Sequence, residues 1–104
     1  MMKKFQVEFD TLVKQISNEN SFGTINTAKG VTMRTTIGVD PVSEHGWFET
    51  YDVVSGGSYF HAEGELEIDF DSNEQPTLVG YDGCFELPDY VIGKLEEHGI
   101  KSDL

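Results

Sequence analysis

The sequence predicts an α+β domain: a helix, four or five antiparallel strands and a second helix, with both helices packed on one face of the sheet. Three observations predict it. Apolar residues near the start recur at helical spacing, those of the middle alternate, and a Leu-Pro-Asp step opens another helical run near the end.

Phe5, Phe9, Leu12, Val13 and Ile16 fall at the i, i+4, i+7, i+8, i+11 positions of an amphipathic helix, expected over about residues 3–18 and ended by the polar run Asn18 to Ser21. The period then changes. Val31, Met33, Thr35 and Ile37 alternate with Thr32, Arg34 and Thr36, a β pattern rich in branched residues. Lys29-Gly30 is the expected turn of a hairpin joining residues 22–28 to 31–37, and Asp40-Pro41 through Gly46 reads as a loop.

Trp47 to Val54 reads as a strand with bulky residues on both faces, followed by a tight connection at Ser55-Gly56-Gly57. The clearest signal comes next. Phe60, Ala62, Gly64, Leu66, Ile68 and Phe70 are expected to point one way, and Tyr59, His61, Glu63, Glu65, Glu67 and Asp69 the other. Asp71 to Pro76 is a polar turn and Thr77 to Phe85 a further strand. Leu87-Pro88-Asp89 starts the last helix, with Tyr90, Val91, Leu95 and His98 inward and Gly99 as its stop.

A chain of 104 residues suits one domain, 1–104, and 38% apolar residues with seven Phe are enough for one modest core. Nineteen acidic against seven basic residues give a formal charge of −12. That balance argues against direct binding to nucleic-acid phosphates or to anionic membrane, and it suits either a basic protein partner or simple solubility. Cys84 is the single cysteine, so no internal disulfide is available. Glu8 and Asp10 break the apolar run that a signal peptide would need after Lys3-Lys4. A cytoplasmic location is the expectation.

The charge is also segregated. Between Arg34 and Lys94 lie 59 residues without Lys or Arg, holding 13 carboxylates. Alternate residues on a strand stand about 6.8 Å apart, so Glu63, Glu65, Glu67 and Asp69 form one row. Adjacent members repel by roughly 0.6 kcal/mol in water. A solvated row is therefore cheap to keep without any function. The sharper expectation is a partner-binding surface, a line of carboxylates resembling the charge of a phosphate backbone. Trp47, Tyr51 and Tyr59 are the candidates for an exposed aromatic patch, which suggests a ligand groove or association as a homodimer.

No catalytic residue, metal site or cofactor is expected. Asp69-Phe70-Asp71-Ser72-Asn73 opens like an EF-hand loop, but Glu74 stands where the sharp turn needs Gly, and Gly80 where a bidentate Glu belongs. His45, His61 and His98 are too scattered for a zinc pattern. Cys84 between Gly83 and Phe85 reads as an inert small hydrophobe, His98 as a packing residue, and the glycines follow no phosphate-loop pattern. The alternative reading is a small-ligand-binding or catalytic domain with a pocket between helices and sheet.

Gly46-Trp47-Phe48-Glu49, Tyr51-Asp52, Gly56-Gly57, Ala62-Glu63-Gly64 and Tyr81-Asp82-Gly83 belong together as a pattern, continued by Phe85-Glu86-Leu87-Pro88 and Val91-Ile92. Over roughly residues 46–99 it resembles small uncharacterised proteins carried on phages, plasmids and integron gene cassettes. The resemblance implies a setting, that of a non-enzymatic accessory protein of a mobile element, and no site residue.

Overall fold

Where the first helix is expected, the chain runs extended. The structure, a computed structural model, describes residues 2–18, 26–54, 57–83 and 85–104. Its first element is a strand, β1 (Phe5–Asn18). Phe5, Val7, Phe9, Thr11 and Val13 are half-buried along it, while Gln6, Glu8, Asp10 and Leu12 are exposed. This is a two-residue period built on aromatic and β-branched residues that favour a pleated surface. The helical spacing of Phe5, Phe9, Leu12 and Val13 omits Val7, and Val7 is the residue that completes the alternation.

The helix–strands–helix α+β expectation is therefore corrected. The protein is mostly β, a six-stranded curled sheet with one short helix. Strands β1, β2 (Asn26–Asp40), β3 (His45–Val54), β4 (Gly57–Phe70) and β5 (Pro76–Gly83) form an antiparallel meander in chain order. Helix α1 (Asp89–Glu97) then returns the chain so that β6 (Lys101–Ser102) pairs parallel to β5.

The expected turn at Lys29-Gly30 is corrected too. Both residues lie inside β2, opposite Gln15 and Lys14 of β1. Once residues 5–18 are a strand, residues 26–30 have a partner and no reason to turn. The β1–β2 connection, the Ser55-Gly56 connection and Cys84 fall outside the described residues. The loop after Asp40 is short: Val42 N–H donates to Asp40 Oδ1 at 3.1 Å, and His45 already belongs to β3.

One face of the sheet is the core. Ile37, Val39, Phe48, Ala62, Leu66, Ile68 and Leu78 cluster there with Val91 and Leu95 of α1 and with Ile100. Removing such side chains from water is the main stabilising term, about 25 cal/mol per Å² of apolar surface. Pro88 precedes the first turn of α1 with extended backbone, and Gly99 ends it at φ 82°. The helix reaches the β1 edge through two ring contacts. Lys94 Nζ sits 4.7 Å from the Phe9 ring centre, and His98 stacks on Phe5 at 4.7 Å. Thr35 and Thr50, both fully buried, share a hydrogen bond of 2.9 Å between their hydroxyls, which satisfies two polar groups inside the sheet.

Two β-bulges shape β4. Thr50 pairs with Ala62 but Tyr51 with Phe60, so His61 is an extra residue on β4. Glu67 pairs with Gly80 but Ile68 with Leu78, which makes Val79 extra on β5. The inward row of Ala62, Gly64, Leu66 and Ile68 is buried as expected. Phe60 leaves that row at the first bulge and is exposed. Among the described residues no helix is long and apolar enough to cross a membrane.

Candidate functional site

The register of the meander decides which side chains share the outer face, opposite α1. Paired residues of adjacent strands point the same way. With Thr50, Phe48 and Ala62 inward, the residues between them point outward. The Glu63–Asp69 row of the sequence thus acquires neighbours. Glu49 stands directly opposite Glu63, Trp47 opposite Glu65, and His45 opposite Glu67. On the other side Asp82 is opposite Glu65, and Thr77 opposite Asp69. Further across β2, Thr36 links Glu49 to Glu8 of β1.

The four predicted residues Glu63, Glu65, Glu67 and Asp69 are all exposed on this face. Glu8, Glu49 and Asp82 join them. No sequence signal marked those three, because strand register is a property of the whole sheet. Strands lie about 4.8 Å apart, so the carboxylates occupy a two-dimensional lattice, wider than a single line.

Two of the cross-strand pairs, Glu49/Glu63 and Glu65/Asp82, set like charges directly opposite each other. Such placement is destabilising in a sheet. Arg34 does not relieve it. Its Nε donates to Asp10 Oδ1 at 2.9 Å and its Nη2 to Asp10 Oδ2 at 3.2 Å, one row away. Those hydrogen bonds hold the Asp10 carboxyl below the usual carboxylate range and raise the Arg34 guanidinium. On α1, Lys94 Nζ is 2.7 Å from Glu97 Oε2, and that hydrogen bond lowers Glu97 in the same way.

The predicted aromatic candidates are placed apart. Trp47 lies flat over Gly38 of β2, where a Cβ would stand 2.5 Å from its Nε1. Its indole is thus a half-buried floor within the acidic lattice. Tyr51 is also on the outer face and donates to Glu49 Oε2 at 3.5 Å, the long limit of a hydrogen bond. It meets Phe60 edge-on at 6.0 Å. Tyr59 is 64% exposed, but it pairs with Asp52, which shares the inner face with Thr50. Phe60, which the alternation assigned to the core, therefore belongs with Tyr51, and Tyr59 does not.

Asp52 and His61 form a separate pair on the inner side of the bulge. Nδ1 of His61 approaches Asp52 Oδ1 at 3.1 Å, though off the line of a hydrogen bond, and that oxygen is otherwise without a partner. Asp71 caps its own turn, its Oδ1 accepting the N–H of Asn73 at 2.8 Å and of Gln75 at 2.9 Å. Glu74, at the position an EF-hand gives to Gly, adopts φ 61°. Among the described residues no three His, Cys, Asp or Glu side chains are grouped to hold a metal ion. The helix–sheet interface is filled by Val91, Leu95 and Ile100. An open depression of about 480 Å³ lies by the acidic lattice, lined in part by Trp47, Glu49, Glu63, Glu65 and Asp82.

Comparison with known proteins yields no match: no family model, curated protein or solved structure matches this chain.

Proposed function

We propose that the protein is a non-enzymatic interaction module whose outer sheet face binds a basic protein partner, offering it a lattice of carboxylates in place of nucleic-acid phosphates. The observation that carries this reading is the pair of like-charge oppositions, Glu49/Glu63 and Glu65/Asp82, on adjoining rows of one exposed face. At about 5 Å in water each opposition costs roughly 0.8 kcal/mol and contributes nothing to the fold. Cations of a partner reverse the sign of that term and release bound counterions from both surfaces.

The setting belongs to the same proposal. It makes the protein an accessory factor of a mobile element, a reading supported by the resemblance over residues 46–99, and the lone Cys84 fits a reducing cytoplasm. A nucleic-acid-binding protein is the natural basic partner, since its own site is built to receive spaced anions.

Immobilised protein is expected to retain nucleic-acid-binding proteins at about 50 mM salt and to release them by about 500 mM, where screening is within a few ångströms. Duplex DNA should compete for the retained proteins. A variant carrying Glu63→Gln, Glu65→Gln, Glu67→Gln and Asp69→Asn should lose them. Retention that is insensitive to salt and to these four changes would overturn the reading.

A further inference from the structure

The His61 bulge decides which way Phe60 points. With regular pairing Phe60 would stand opposite Asp52 on the inner side, the position that Tyr59 takes instead. With the bulge, Phe60 is 57% exposed beside Tyr51, on the same face as Glu49 and Glu63. Bulges re-aim side chains in this way. Two nearby outward positions are apolar, while Arg34, held by Asp10, is the partner of Tyr51 on β2. Val53 follows Tyr51 along β3, and Leu12, 65% exposed, stands across Thr32 from it. The outer face therefore has two ends, one a carboxylate lattice and the other a small apolar patch bordered by the Arg34–Asp10 pair.

We propose that this patch is the anchor site for a cationic amphipathic helix of the partner, which seats an apolar side chain against Tyr51 and Phe60 and lays its cations along Glu49, Glu63 and Glu65. The inference rests on the function proposed above and specifies its partner. Three physical points favour that occupant. A second copy of this chain would bring Glu8, Glu49 and Glu63 against their own equivalents, and an anionic membrane would meet the same repulsion. A lone strand laid on a sheet face would leave its backbone groups unpaired, whereas a helix satisfies its own.

The spacing also agrees. Successive outward positions of β3 lie about 6.8 Å apart, so the Glu49/Glu63 and Trp47/Glu65 rows stand about 7 and 14 Å from the Tyr51/Phe60 row. Positions i+4 and i+8 of a helix lie about 6 and 12 Å from i.

The test uses an Ala-based helical peptide of about 18 residues, with Phe followed by Arg at the fourth and eighth positions after it, and a second peptide with Ser replacing that Phe. Binding to the whole protein is measured at about 50 mM salt, with amide chemical shifts reporting the site. The Phe peptide is expected to bind about tenfold more tightly than the Ser peptide and to shift residues around Tyr51 and Phe60. Phe60→Ser should abolish that preference. Glu63→Gln with Glu65→Gln should weaken both peptides alike.

Equal binding of the two peptides, unaffected by Phe60→Ser, overturns the anchor and leaves the acidic reading standing. Failure of both peptides to bind overturns the anchor and the acidic reading together. Concentration-dependent self-association that Phe60→Ser removes would assign the patch to a second copy, and so overturn the inference as well.

Discussion

Tyr81 shows how a few residues set the shape of the β4–β5 end of the sheet. Its ring stacks on Phe48 at 6.1 Å and lies directly across Gly64 and Gly83, which pair with each other on β4 and β5. Its hydroxyl donates to the carbonyl of Phe85, tying β5 to the segment that leads into α1. A methyl group at Gly64 would overlap the Tyr81 ring and stand 2.8 Å from Phe48, which is buried. Gly64→Ala is thus expected to destabilise by about 1–3 kcal/mol, the usual cost of overpacking a filled site. The check is chemical denaturation of Gly64→Ala in the native background and in Tyr81→Ala, where the penalty should largely disappear. An equal penalty in both backgrounds would place the strain in the backbone rather than under the ring. Gly38 has the same relation to Trp47 on the outer face. Gly64 and Gly83, both within strands, are places where an aromatic ring lies down.

At the scale of the elements, the β1–β2 pairing carries the one bidentate ion pair described, Asp10 with Arg34. Arg34 holds the folded-state pKa of Asp10 below its unfolded value. The pair's contribution is therefore complete above the ordinary Asp range near 4 and is lost as pH falls through the lowered value. In a double-mutant cycle with Asp10→Asn and Arg34→Gln, the coupling read from melting temperatures should be level above about pH 5 and fall on acidification below the ordinary Asp range. Coupling that is unchanged on that acidification would mean that the pair seen here does not form in solution. The same strands show what was legible in the sequence. In β4, alternation over residues 62–69 has a single reading, and the buried and exposed rows follow it. In β1, Phe5, Phe9 and Val13 satisfy a period of two as well as one near 3.6, and only the presence of β2 as a partner selects the strand. The acidic row was readable because it lies within one strand. Glu8, Glu49 and Asp82 were not, because their place beside it depends on register across five strands, and Phe60 was not, because a bulge is one residue of misalignment that composition does not announce.

For the molecule as a whole, the sheet separates the forces that act on it. Apolar burial with α1 holds the inner face, while the outer face concentrates like charge at positions where two pairs of carboxylates oppose each other. Self-repulsion of this kind is long-ranged at low ionic strength and disfavours the compact state, since unfolding lets the charges move apart. At about 10 mM salt the Debye length, near 30 Å, covers half of the molecule's 61 Å length, so the whole lattice interacts; at about 150 mM it is near 8 Å, roughly one strand row. The melting temperature should therefore rise between about 10 and 150 mM NaCl, a range too dilute for salt to alter apolar hydration much. Charge removal should act in the same direction. Glu65→Gln, which dissolves the opposition to Asp82, should raise the melting temperature at 10 mM and lose most of that advantage at 150 mM. A cationic partner is expected to mimic salt at far lower concentration, raising the melting temperature of the native protein and having less effect on the Glu65→Gln variant. If the native protein melts at the same temperature across the salt range, the outer-face carboxylates are too well solvated to repel one another. The opposed pairs would then cost nothing, and the reason for assigning them to a partner would be gone.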